Sequence, residues 1–244
     1  MKNFTKKSKK SALVMLCAAL GLTGCLGGEG SNTQTFVDIP AVMGEHTSGR
    51  PTLATPYGEI HYVGSKLDVG DCVLIDFKLD SDNQPLYATE GILSAEDLKV
   101  TIKIEHSPAT LIEEEKPDTT GFTFPMTDYM PVCMLKNKLF VVFIHQMFKN
   151  QEVEYRLELV KTAEYTYDAY LMTSSSESAS GVTTYLDRGW HVFELSREWF
   201  PEFKETDTTF PYITLNVKYF VGGEGENAWR SFSGNPSKIY WYQQ

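Results

Sequence analysis

Positive charge is scarce in this chain, and what there is crowds into its first ten positions. Lys2, Lys6, Lys7, Lys9 and Lys10 supply five of the 22 Lys and Arg residues, set against 32 Asp and Glu. Without residues 1–24, which carry those five lysines and no acid, the balance is 17 minus 32, or −15. A body of that charge repels phosphate backbones and offers no basic stripe to neutralise them, so nucleic acid is excluded as a partner. It is repelled by an anionic membrane surface as well.

Histidine is sparse too. His46, His61, His106, His145 and His191 lie far apart with no two at ligand spacing, so a zinc site would need long-range convergence. His145 ends an apolar run and reads as a packed or edge residue rather than a base. No Gly-x-Ser-x-Gly, P-loop or dinucleotide fingerprint occurs, which removes the local signals of common hydrolase, nucleotide and redox chemistry. Asp80, Asp82 and Asn83 place oxygens in a row, but no EF-hand completion follows and a solvated turn is the simpler reading. Glu113, Glu114 and Glu115 form a charge run between prolines, the pattern of a solvated face. No catalytic residue, cofactor or metal is expected.

What the chain does have is a start with a clear meaning. Five lysines precede an apolar run from Ala12 to Leu22, and Leu22, Thr23, Gly24 and Cys25 then read as a lipobox. The run is too short to span a bilayer, which takes about 20 apolar residues. Residues 1–24 are therefore read as a signal peptide, with Cys25 the acylated first residue of the mature protein. Acyl chains contribute about 0.8 kcal/mol per buried methylene and would be the whole membrane attachment. Residues 25–33 are glycine-rich and form a tether with a reach of about 15 Å.

Beyond the tether, short runs of β-branched and aromatic residues recur with turn residues between them. Residues 36–42, 53–54, 59–63, 69–79, 86–93 and 98–104 are the candidate strands of a small unit spanning 34–105. Within 69–79, Val73, Ile75, Phe77 and Leu79 point one way while Asp76 and Lys78 point the other. Five or so strands in that length suit a Greek-key barrel. Residues 106–121 carry two prolines and the acidic run, and read as a linker.

The second unit, 122–244, has longer strands. Residues 138–145 are apolar on both faces and suit a central strand. Residues 153–160 alternate, with Val153, Tyr155, Leu157 and Leu159 inward and Glu154, Arg156 and Glu158 outward, and Asn150-Gln151 before them marks a hairpin. Residues 165–172, 191–195, 212–221 and 239–242 supply further strands, and 196–200 a short helical turn ended by Pro201. The whole is expected to be all-β, an N-terminal barrel followed by an antiparallel β-sandwich.

The lipobox, the short glycine-bearing tether, Val69-Gly-Asp-Cys-Val-Leu-Ile-Asp-Phe77 in a small barrel, and Lys138-Leu-Phe-Val-Val-Phe143 in a sandwich together resemble the NigD-like lipoproteins. The resemblance covers residues 25–244 and implies an oligonucleotide/oligosaccharide-binding-type barrel joined to a β-sandwich. It implies outer-membrane residence and a role in self-protection against a bacteriocin, and it brings no catalytic motif. Where many surface-exported relatives carry several acids after the lipidated cysteine, this chain has Leu26, Gly27, Gly28 and a lone Glu29, which leaves open whether it faces the periplasm or the cell surface.

Two matters remain open at this level. Cys72 and Cys133 are a candidate disulfide, worth about 4 kcal/mol by chain entropy, or else two buried apolar thiols. Tyr57, Tyr62, Tyr87, Trp190, Trp199, Trp229, Trp241 and Tyr242 are largely core residues. An exposed subset would grip a protein or peptide, or stack on a glycan. A monomeric binding lipoprotein is expected. A structural adhesin or fimbria-like component is the alternative, and its mark would be a detachable C-terminal strand at 239–242.

Overall fold

The computed structural model describes residues 32–113, 117–120, 128–148, 151–175, 184–200, 212–223, 228–231 and 237–242; Cys25 and the tether before Asn32 lie outside them. The chain divides into two compact units, Met1–Ile102 and Lys103–Gln244, and both are built from strands. The fold is all-β.

In the first unit β1 (Thr33–Glu45), β2 (Pro51–Thr55), β3 (Gly58–His61), β4 (Cys72–Asp80) and β5 (Glu96–Ile104) form one sheet in the order β3-β2-β1-β4-β5. β1 is longer than its apolar stretch suggests, and it pairs antiparallel with β4 from Thr33 to Val42 while Val42 to Glu45 pair with β2. A bulge makes this possible. The register shifts between Phe36 and Ile39, Asp38 takes a φ of 53°, and its N–H donates to Asp76 Oδ1 at 2.9 Å. The bulge bends the strand. Phe36, Ile39 and Met43 then meet Leu53, Ile60, Ile75 and Phe77 in one core, where the Phe36 and Phe77 rings stack with centroids 4.7 Å apart.

The expected barrel is not closed. Among the described residues the far edge, β3, is linked toward β5 by no more than a parallel bridge between Ile60 and Leu93, which precedes β5. Part of the reason lies in residues 86–93, read as a strand. Instead Tyr87–Glu90 form a helical turn, α1, that stops at Gly91 with φ 79°, so little beyond Ile92 and Leu93 is left extended there. Gln84 ties this connection down: its amide nitrogen donates to the Asp80 and Ser94 carbonyls at 2.8 and 3.0 Å, and its oxygen accepts the Ser94 N–H at 2.8 Å.

The second unit contains β6 (His106–Ser107), β7 (Ala109–Ile112), β8 (Asp128–Leu135), β9 (Lys138–Phe148), β10 (Val153–Ala163), β11 (Thr166–Ser175), β12 (Thr184–Glu194), β13 (Tyr212–Phe220), β14 (Trp229–Ser231) and β15 (Ser237–Tyr242). Their order is β6-β12-β9-β8-β15-β13-β11-β10-β7, with β14 on β13. Leu139, Val141, Phe143 and Phe193 on the β9–β12 side pack against Leu157, Ala169, Leu171 and Val217 on the β10–β11–β13 side, the arrangement of a sandwich. β9 is buried on both faces from Leu139 to Phe143, as its unbroken apolar run predicts.

Three expectations are corrected here. The sandwich is mixed rather than antiparallel, because β11–β13, β15–β8, β10–β7 and β12–β6 are parallel pairs. β9 and β10 form no hairpin: β9 pairs with β8 and β12, and β10 with β11 and β7. The linker of 106–121 opens as structure, since β6 joins β12 and, past Pro108, β7 joins β10. Proline lacks an N–H and suits the point where the chain leaves one ladder for another.

β15 sits between two partners. Tyr240 to Ser237 pair antiparallel with Tyr212 to Leu215, and Trp241 and Tyr242 pair parallel with Met134 and Leu135.

Candidate functional site

The polar groups that converge in the first unit lie where β1 turns into β2. His46 N–H bonds to the Arg50 carbonyl at 2.9 Å and Gly49 N–H to the His46 carbonyl at 2.8 Å, which closes the turn and presents His46, Ser48 and Arg50 together. The Ser48 N–H donates to His46 Nδ1 at 3.1 Å. Nδ1 therefore carries the lone pair and, in the neutral ring, Nε2 carries the proton. Nε2 lies 3.9 Å from Glu59 Oε2, and Ser48 Oγ lies 2.9 Å from Nδ1.

Glu90 of α1 completes the cluster by accepting Arg50 Nε at 2.9 and 3.1 Å. The Ser48 hydroxyl first, then Arg50, holds the Glu90 carboxyl below the usual carboxylate range. Serine, histidine and glutamate in a row suggest a nucleophile relay, but the geometry does not serve one. The Ser48 proton is drawn to an ionised carboxylate, which accepts more strongly than an imidazole, and the His46–Glu59 separation exceeds a hydrogen bond.

The register of β2 and β3 sets Thr52 opposite His61, Leu53 opposite Ile60 and Ala54 opposite Glu59. Leu53 and Ile60 face the core, so Thr52, Glu59 and His61 share the other face. That face is buried at two of the three: Thr52 is 0% exposed and Glu59 7%. The Thr52 hydroxyl has no hydrogen-bond partner among the described residues, and none is formed there by the Glu59 carboxylate. Neither residue stands out in the sequence. An acid inside a four-residue strand was the available signal.

A second polar network lies on the β11–β13 face away from the sandwich core. Asp168 accepts Asn216 Nδ2 at 3.0 Å and Lys218 Nζ at 2.7 Å, while Lys218 stands 5.0 Å from the Tyr170 ring centre. Burial works to lower the Lys218 pKa, but Asp168 outweighs it and the ammonium is held above its ordinary value. Tyr170 meets Trp229 edge-on at 4.9 Å.

Most of the aromatics singled out from the sequence are structural. Tyr57 and Tyr62 are buried, Tyr87 and Trp199 pack against the cores of their units, and Trp190 and Trp229 are half-buried. The side chains of Trp241 and Tyr242 lie outside the described residues.

The remaining sequence candidates are dispersed. His106 Nδ1 lies 3.7 Å from Glu194 Oε2, the oxygen that Lys138 Nζ binds at 2.7 Å. The His191 ring packs 3.9 Å from Tyr155 and 4.9 Å from Phe143, and the His145 side chain lies outside the described residues. Asp80 Oδ1 accepts the Asp82 N–H at 3.0 Å, and the Asp82 carboxylate accepts Asn32 Nδ2, as in a turn. Glu113 is exposed, and Glu114 and Glu115 lie outside the described residues. Among the described residues no three His, Cys, Asp or Glu side chains group to hold a metal.

The candidate disulfide is corrected. Cys72 and Cys133 belong to different units, and both are buried thiols outside any disulfide. Cys72 Sγ is directed to the Gly70 carbonyl at 3.7 Å, and burial pushes the Cys133 thiol well above its ordinary pKa. Among the described residues no helix is long and apolar enough to cross a membrane.

No protein family and no curated protein matches the chain. Solved structures do. One is an uncharacterized protein from Parabacteroides merdae, 14% identical, with a TM-score of 0.60 over 85% of this chain and 96% of that one. A NigD-like immunity protein from Bacteroides caccae is 13% identical with a TM-score of 0.46, covering 84% of this chain and 96% of its own. A protein of unknown function from Bacteroides vulgatus is 16% identical with a TM-score of 0.46, covering 83% and 94%. The similarity to the Parabacteroides merdae protein shows that the two share a fold across both units of this chain.

Proposed function

We propose that this protein is an envelope lipoprotein, anchored in the outer membrane by acyl chains on Cys25, that works by non-catalytic binding of a protein or peptide in the manner of a bacteriocin-immunity protein. The observation that carries the reading is Leu22-Thr-Gly-Cys25 after a lysine-rich start and a short apolar run. The placement of β1 supports it, since strand begins at Thr33, eight residues past Cys25. The glutamate-rich body adds nothing to membrane attachment, so the acyl chains must supply it.

β15 supports binding over strand exchange. A fimbria-like component needs a strand that leaves its place, whereas β15 is bonded from end to end, to β13 over residues 237–240 and to β8 over 241–242. A monomer in solution follows.

The test is fractionation of wild type and Cys25→Ala with metabolic labelling by a fatty-acid analogue. The wild type should incorporate label and sediment with the outer membrane, and Cys25→Ala should accumulate as unlabelled precursor. Equal labelling of the two forms would refute the anchor. Pull-down from envelope extracts then tests the binding role, and ladders of the purified protein on sizing would favour the adhesin instead.

A further inference from the structure

We propose that Glu59, with Thr52 beside it, is the seat for a primary ammonium group, a lysine side chain or chain N-terminus presented by the captured partner. The proposal rests on the reading of this chain as a binding protein and names the chemistry of one contact.

The starting point is a buried hydroxyl without a partner among the described residues, beside a largely buried carboxylate that has a distant imidazole as its contact. A carboxylate removed from water needs hydrogen bonds or an opposite charge, and Glu59, 7% exposed, has only His46 Nε2 at 3.9 Å. Thr52 Oγ1 is the one buried side-chain oxygen or nitrogen among the described residues without a hydrogen-bond partner. It lies on the same sheet face, one pair along from Glu59. Diagonal neighbours across an antiparallel pair stand about 7–8 Å apart at their Cα atoms, within reach of a long side chain.

The ligand class follows from what each group lacks. Both oxygens can accept, so the missing molecule must donate, and the carboxylate requires it to be positive. An anion is excluded by Glu59, and a metal ion by the want of a third ligand among the described residues. A lone water would satisfy Thr52 but leave the carboxylate charge uncompensated. Arg50, the cation in the adjoining turn, does not fill the place because both of its contacts go to Glu90. An ammonium carries three donors on one atom: one suits Glu59, one suits Thr52, and the third can remain in water. The wider charge agrees, since the full chain stands at −10 and draws cationic partners toward it.

The experiment titrates purified protein with N-acetyl-lysine methylamide, and in parallel with the uncharged N-acetyl-norleucine methylamide, while the ring signals of His46 and His61 and the Thr52 methyl are followed by NMR. The lysine probe should shift all three saturably and the norleucine probe should not. Glu59→Gln keeps the shape and loses the charge, and should weaken binding by about tenfold or more, the value of one charge-assisted hydrogen bond. Thr52→Val should weaken it also, and remains informative if Glu59→Gln fails to fold. Equal response to both probes, no saturable response to lysine, or unchanged affinity in Thr52→Val and a folded Glu59→Gln would overturn the assignment. Such a failure with Cys25 acylated as expected removes this contact and leaves the anchored protein standing; loss of acylation does the reverse.

Discussion

Replacing Thr52 by valine should stabilise the N-terminal unit, although it removes a polar group from a protein that has few to spare there. The hydroxyl is fully buried and unpaired among the described residues. An unsatisfied buried hydroxyl costs about 1–3 kcal/mol, and the added methyl contributes about 0.8 kcal/mol on burial. Valine is also β-branched and suits the strand. A gain of about 2 kcal/mol is expected, which for a unit of this size raises Tm by about 10 °C.

The tryptophans make the assay selective. Trp190, Trp199, Trp229 and Trp241 are the only four, and all lie beyond Ile102, so their fluorescence follows the second unit while far-ultraviolet circular dichroism follows both. Thr52→Val should move a dichroism transition to higher denaturant at unchanged slope and leave the fluorescence transition in place. Thr52→Ser, which keeps the hydroxyl and loses a methyl, should be less stable than wild type. If serine proves more stable than valine, or valine falls below wild type, the hydroxyl is bonded in the unliganded protein and the ammonium seat loses its second acceptor.

Two further substitutions probe the sandwich. Phe193→Ala opens a cavity where a fully buried ring meets Phe143 at 6.1 Å, and should cost about 3–5 kcal/mol, read as an earlier midpoint of tryptophan fluorescence in urea. Glu194→Gln deprives the buried Lys138 of its charge partner. Lys138 first, then Asn137, lowers the Glu194 pKa despite opposing burial, so its contribution is present above the ordinary carboxylate pKa and is lost as pH falls through the lowered value. The variant should therefore be less stable by about 1 kcal/mol at neutral pH, a small value because the carboxylate is half-exposed. Urea melts across pH should show the gap closing in acid.

Strand positions were legible where one property alternated. Residues 153–160 mark Val153, Tyr155, Leu157 and Leu159 as inward, and 138–145 mark a strand covered on both sides; the four side chains do pack on the core, and burial on both faces holds from Leu139 to Phe143. Alternation assigns faces but not neighbours, which is why β9 and β10 were read as a hairpin when each belongs to a different ladder. It also says nothing about what lies over the second face. Glu158, placed outward with Arg156, is 2% exposed and ion-paired to it. The same limit hid Thr52 and Glu59. α1 was missed because four residues of helix leave no periodicity to read, and only Gly91 hinted at a cap.

The position of β15 dictates an order of events during synthesis. The seam between β8 and β13 is filled by residues 237–242, so the second unit cannot complete its sheet while those residues are still inside the ribosome. Partial chains carry the edges of β8 and β13 unpaired. The first unit has no such dependence, since its five strands are all delivered by residue 104. A chain cut short by a late stop codon would thus leave a finished five-stranded sheet attached to an aggregation-prone half, rather than a slightly weakened whole.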